Sequence, residues 1–218
     1  MEKCYNADMA AETANFFEEV TDMRRAHEVE FRLYGDDMQF VEIMLDPGET
    51  VVAEAGAMMY MDEWIEMNTV FGDGSGREEK DFMGKLFSAG KRMLTGESLF
   101  MTTFTNRGHE KKCLAFAAPY PGKIIPFDLS ECGGVLICQK DAFLCAAKGI
   151  SVDIAFQRKI GVGLFGGEGF IMQRLQGDGL SFMHAGGAII KKDLQPGETI
   201  KLDTGCLVAM TSGVNYDI

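Results

Sequence analysis

Apolar residues fall on every second position over most of this chain, and that period predicts strands. From Glu28 onward Val29, Phe31 and Leu33 alternate with charged neighbours, and Gly35, Asp36 and Asp37 then turn the chain. Phe40, Ile43 and Leu45 continue the pattern. Further strands are expected at 51–53, 58–61, around Ile65 and Met67, and at 99–105, 113–118, 124–129, 135–139, 142–146 and 170–175. Turn signals separate them: Pro47-Gly48, Asn106-Arg107-Gly108, Pro119-Tyr120-Pro121-Gly122 and Gly177-Asp178-Gly179. Short strands with closely spaced turns predict an all-β sandwich or barrel-like fold. Two stretches carry a helical period instead. Met9, Phe16, Phe17, Val20 and Met23 predict an amphipathic helical extension over 1–27, ending near Arg24-Arg25, where cations suit the helix dipole. Phe82, Leu86, Ala89 and Met93 predict a helix near 78–94 that caps the β core. The expected organisation is thus a β domain over 28–218 with one or two peripheral helices.

The β domain repeats itself. Leu45-Asp46-Pro47-Gly48-Glu49-Thr50-Val51 reads in register with Leu194-Gln195-Pro196-Gly197-Glu198-Thr199-Ile200, and the match runs on to Gly56 and Gly205. Proline presets φ at the second position of a tight turn and glycine takes the left-handed position after it, so each copy is a turn that launches a strand. A third, degenerate copy runs from Phe127-Asp128-Leu129 to Cys145-Ala146, with Ser130-Glu131-Cys132-Gly133-Gly134 in place of the Pro-Gly turn. Repeats are therefore expected near 40–62, 124–147 and 181–212, built as double-stranded β-helix or β-sandwich units.

Composition adds modest constraints. No apolar run approaches the roughly 18 residues that span a bilayer. The N-terminus carries acids and no apolar core segment, so no signal peptide and a cytoplasmic location are expected. The formal charge of -12 is concentrated early: residues 1–66 hold 17 acids and 4 bases, the remainder 16 acids and 17 bases. Such a chain repels phosphate backbones at long range, and the lysine pairs Lys111-Lys112 and Lys191-Lys192 have no flanking aromatic on which a base could stack; no nucleic-acid partner is expected. The cysteines at 4, 113, 132, 138, 145 and 206 form no Cys-x-x-Cys and predict reduced, mostly buried thiols. Met58, Met59 and Met61 sit inside a strand pattern, which favours core positions for at least half of the fifteen methionines.

Candidate chemistry is sparse. Gly161-Val162-Gly163-Leu164-Phe165-Gly166 spells G-x-G-x-x-G, but a dinucleotide fingerprint must open a helix. Here Gly166, Gly167 and Gly169 prolong the glycine run, each costing about 1 kcal/mol in a helix, and a strand follows. His27, His109 and His184 lie in separate segments with no His-x-His pair, so the metal of a cupin-like enzyme lacks its ligands. Glu49 and Glu198 could in principle do acid–base work, but hydrogen bonding within the repeated turns explains their recurrence more simply. We therefore assign no catalytic residue, cofactor or metal. Pro47, Gly48, Glu49, Gly56, Gly166, Gly167, Gly169, Gly177, Gly179, Pro196, Gly197 and Glu198 are read as structural turn residues.

The turns and the segments between them resemble a known family. The residues that carry this are 45–49 with Ala53-Glu54-Ala55-Gly56-Ala57-Met58, then Thr95-Gly96-Glu97-Ser98-Leu99-Phe100, Pro121-Gly122-Lys123-Ile124-Ile125-Pro126, and Leu164-Phe165-Gly166-Gly167-Glu168-Gly169 with Leu175-Gln176-Gly177-Asp178-Gly179. The chain is similar, over about residues 28–214, to proteins of the "altered inheritance of mitochondria" type linked to mitochondrial biogenesis. The resemblance implies an all-β fold of duplicated double-stranded β-helix type, related to the ring-forming tryptophan RNA-binding attenuation protein, and it brings no catalytic residues. The expectation drawn from it is a non-enzymatic, homo-oligomeric scaffold, a trimer or other ring, with peripheral membrane association as a further option. A cupin-like small-molecule-binding protein or enzyme is the alternative, and an RNA-binding module by fold analogy the second.

Overall fold

A computed structural model describes residues 26–71, 100–158 and 170–217. The helices expected over 1–27 and near 78–94 fall almost entirely outside these residues, as do Gly166, Gly167 and Gly169. Among the described residues the fold is all-β, with helical structure limited to three short 3₁₀ turns.

Fourteen strands run β1 (Glu30–Tyr34), β2 (Phe40–Leu45), β3 (Thr50–Glu54), β4 (Met58–Met61), β5 (Ile65–Phe71), β6 (Phe100–Asn106), β7 (Lys112–Ala117), β8 (Lys123–Asp128), β9 (Val135–Gln139), β10 (Phe143–Ala147), β11 (Ser151–Arg158), β12 (Phe170–Gln176), β13 (Leu180–Ala185) and β14 (Ala209–Thr211). All ladders are antiparallel, and they form three sheets ordered β1-β2-β7-β4, β5-β6-β3-β10-β13-β8 and β11-β12-β9-β14.

The pairing resolves into one six-strand unit used twice. In β2–β7 the sixth strand lies between the first and third, and the fifth between the second and fourth. The same holds in β8–β13, strand for strand. Even an irregularity recurs. The third-to-sixth ladder shifts register between Met58 and Tyr60 in the first unit and between Phe143 and Cys145 in the second. A β-bulge retained at the same place in both copies belongs to the unit's architecture.

The units are joined by a fixed rule. The second strand of one unit pairs with the third strand of the next, so Ala53 faces Cys145 across β3–β10 and Cys138 faces Ala209 across β9–β14. A turn whose glycine has a left-handed φ precedes the second strand position of each unit: Gly48 at +88°, Gly133 at +72° and Gly197 at +82°. Tyr60, Cys145 and Ala209 each lie twelve residues beyond that glycine. β14 thus stands at the third-strand position of a further unit.

The core sits at the first joint. Val51, Val52 and Ala53 of β3 and Cys145, Ala146 and Ala147 of β10 are fully buried, and small side chains on β10 let the two units close up. Phe104 and Phe116 meet edge to face at 5.3 Å inside the first unit, and Phe31 caps Phe182 of the second at 5.0 Å.

Two sequence expectations are corrected. Met58 is only half-buried, and Met59 (56% exposed) and Met61 (38%) lie at the surface, because among the described residues β4 ends its sheet and has no joining strand of the kind that covers β10. Thr199 and Ile200 do not begin a sheet strand, although the turn before them repeats. Residues 199–203 have no ladder partner among the described residues, and Ile200 and Leu202 are exposed.

Candidate interaction edges and an acidic cleft

The repeated turns are alike in detail. Glu49 N–H donates to Asp46 O at 3.0 Å and Glu198 N–H to Gln195 O at 2.9 Å. Each glutamate carboxylate reaches back over the turn: Asp46 N–H donates to Glu49 Oε2 at 2.7 Å, Gln195 N–H to Glu198 Oε2 at 2.9 Å. Both carboxylates are thereby held in the turn, with Pro47 and Pro196 at its corner. Gly56 turns the chain into β4 with φ +90°. Gly177 and Gly179 serve close approach instead. A Cβ on Gly177 would stand 2.9 Å from Ile150 Cγ1, and one on Gly179 only 2.4 Å from Ala26 Cβ.

A cleft of about 340 Å³ lies between the first turn and the start of the second unit's last strand, lined by Ala26, His27, Glu28, Val29, Glu30, Asp46, Glu49, Asp128, Gly179 and Leu180. Its polar groups are mostly engaged in holding the chain. His27 Nδ1 accepts from Thr50 N–H at 2.9 Å, while His27 N–H donates to Lys148 O at 2.9 Å. Burial, aided by the Lys148 cation, lowers the His27 pKa below its ordinary value, so the ring is a neutral acceptor. Glu49 is raised above the usual carboxylate range, chiefly by desolvation. Lys111 bridges Glu30 at 2.7 Å and Asp46 at 3.7 Å, and Asp128 Oδ1 accepts from Ser130 N–H at 2.9 Å. Sequence reasoning did not place His27 here; its position just before the first strand was the only signal.

The remaining histidines stand apart. His109 is exposed, whereas His184 is buried in β13 against Tyr120, ring centroids 4.6 Å apart, and burial lowers its pKa. Cys138 and Cys145 are buried in the two joints, with the Cys138 thiol pushed up to about 12 by burial; Cys113, Cys132 and Cys206 are free and at least partly accessible. Among the described residues no three His, Cys, Asp or Glu side chains are grouped as metal ligands.

The surface around β4 has a different character. Met59, Tyr60, Met61 and Met67 are all exposed, and Trp64, 61% exposed, holds a left-handed φ of +73° that is uncommon for a bulky residue. On the third unit Ile189, Ile190, Ile200 and Leu202 are exposed as well. Among the described residues these two apolar regions flank strand positions that lack a ladder partner on one side or both. Among the described residues no helix is long and apolar enough to cross a membrane.

Comparison with known proteins gives these features a lineage. Residues 31–218 match the family described as Mitochondrial biogenesis AIM24. An uncharacterized protein of Streptococcus pyogenes serotype M6 is 36% identical over 187 residues, covering 83% of this chain and 70% of that protein. A crystal structure of another Streptococcus pyogenes protein is similar with a TM-score of 0.54 at 25% identity. That likeness covers 73% of this chain and 66% of the solved one, so the chain spans just under two thirds of that relative's length. With both six-strand units and the start of the third inside one unbroken match, the chain belongs to the mitochondrial biogenesis AIM24 family.

Proposed function

We propose that this protein is a non-enzymatic, homo-oligomeric scaffold that acts in the cytoplasm by presenting an assembly surface. The observation that carries the reading is the apolar strip on β4, β5 and the turn between them, where Met59, Tyr60, Met61, Trp64 and Met67 are exposed beside a sheet edge with no partner among the described residues. Exposed apolar surface next to unpaired backbone is costly to leave open and marks an interface. Methionine and aromatic side chains are also those enriched where proteins meet. The cleft supports the same reading from the other side, because Glu49, Glu30, Asp128 and His27 are engaged by backbone groups and neighbours in ways that hold the chain. The free thiols suit a reducing compartment. Light scattering on the full chain is the test: a mass of more than one copy at micromolar concentration is expected, and a single-copy mass throughout that range overturns the reading.

A further inference from the structure

We infer that His184 is a pH-sensitive latch on the turn between the two six-strand units: its neutral ring seats residues 119–122, and its protonated ring drives them off. The three histidines differ in what their rings meet. His109 lies in solvent, and His27 Nδ1 accepts from Thr50 N–H at 2.9 Å. His184 is 2% exposed, and among the described residues neither Nδ1 nor Nε2 has a hydrogen-bond partner. A neutral imidazole carries one donor and one acceptor, so burying both unpaired costs free energy that an apolar side chain would not. The fold does not need the ring. Phe182 faces Cys145 in the second unit as Ala115 faces Tyr60 in the first, so two residues on, His184 stands where the first unit has Ala117. An unpaired buried side chain at a place that accepts alanine calls for an explanation other than packing.

The turn that lies on the ring also ties the units together. It runs from β7, the last strand of the first unit, to β8, the first strand of the second. Tyr120 meets the imidazole edge to face, ring centroids 4.6 Å apart, and its hydroxyl donates to Asp141 O at 3.1 Å. Gly122 closes the Nε2 side: a Cβ there would stand 2.5 Å from His184 Nε2 and Cε1. The Gly122 N–H donates to Asp37 O at 2.8 Å and its carbonyl accepts from Gln39 N–H at 3.1 Å, so the turn clamps the loop between β1 and β2 as well. The charges on the surrounding elements are turned elsewhere. On β8, Lys123 directs its ammonium to Asp36 O, and Asp36 and Asp37 lie in the loop beyond Gly122. Lys140 and Asp141 belong to the 3₁₀ turn after β9; burial, then the Asp141 and Glu54 charges, raise the Tyr120 hydroxyl above its ordinary pKa. Among the described residues none of these groups pairs with the imidazole, and burial alone lowers His184 below its ordinary 6.5. The ring therefore takes its proton only below that pH. Once charged it carries two N–H donors without an acceptor, and it reaches water by displacing the turn. Tyr120 is 42% exposed, so it can swing outward without opening a sheet.

Imidazole NMR on the full chain follows the ring, its signal assigned as the one lost in His184→Ala, while amide hydrogen exchange follows the turn. From pH 7 to pH 5 the protection of the Gly122 and Gln39 amides, corrected for the intrinsic effect of pH on exchange, is expected to fall about tenfold. The fall should share the midpoint of the His184 titration, below 6.5, while the amides of the β3–β10 ladder keep their protection. His184→Phe keeps a ring for Tyr120, and His184→Ala carries the residue of the first unit. In whichever of these folds, the fall should vanish, and in His27→Asn it should persist. A ring that titrates at its ordinary 6.5 is in contact with water and overturns the latch, as does a ring that stays neutral down to pH 5. A titrating ring with Gly122 and Gln39 still protected, or a loss of protection that persists without His184, overturns it equally.

Discussion

Asn106 shows how much of this fold depends on single polar side chains. It is fully buried at the end of β6, where its Nδ2 donates to Leu45 O and Glu110 O, both at 2.8 Å, and its Oδ1 accepts from Gly108 N–H at 2.8 Å. Its backbone also clasps the Pro-Gly turn, through Gly48 N–H to Asn106 O and Asn106 N–H to Glu49 O. Asn106→Ala leaves a buried carbonyl without its donor and should lower stability by about 2–4 kcal/mol, read from denaturant unfolding. His27 makes a different, pH-dependent contribution. Its folded pKa lies below the ordinary 6.5, so the unfolded chain takes up the proton first as the solution is acidified. The stabilisation is complete above pH 6.5 and is lost as pH falls below it. Buried His184 acts with the same sign, while Glu49, raised by burial, acts against it. His27→Asn keeps an acceptor for Thr50 N–H without the titration. The variant should therefore lose less stability than the parent between pH 7 and 5, and parallel curves would refute the assignment.

At the scale of the element, turn chemistry was more legible than pairing. The left-handed Gly48 and Gly197, and the glutamates that reach back over them, follow from the Pro-Gly-Glu-Thr letters alone. β11 is not among the strands expected from the sequence, although Val152, Ile154 and Phe156 alternate along it. The second Thr-β-branched start was read as a strand because local sequence encodes strand propensity but not the presence of a partner. That difference in context yields a prediction about two identical turns. Glu49 tightens the turn that launches a fully buried strand, whereas Glu198 tightens one that leads to an exposed segment. Glu49→Ala should cost about 0.5–1.5 kcal/mol in denaturant unfolding, and Glu198→Ala should be close to neutral at concentrations where the protein is a single copy. Equal losses would mean that residues 199–203 are held as firmly as β3.

For the whole molecule, the sequence made the all-β class and the family readable, because both depend on short strings that recur in order. It did not make the six-strand unit readable. The fifth and sixth strands of each unit carry no shared motif; what equates β6 with β12 and β7 with β13 is whom they pair with, and the bulge beside Tyr60 and Cys145. The acidic cleft also had to be assembled in space, from residues 26–30, the first turn, Asp128 and the 179–180 corner. The repeated joints and the apolar side chains exposed on β4 and β5 are the observations on which the proposed oligomeric scaffold rests. Light scattering on the intact chain across the micromolar range tests this proposal most directly. The account predicts a concentration-dependent mass of two or more copies of the 24.0 kDa chain. A mass of 24.0 kDa for the intact chain at every concentration would contradict it.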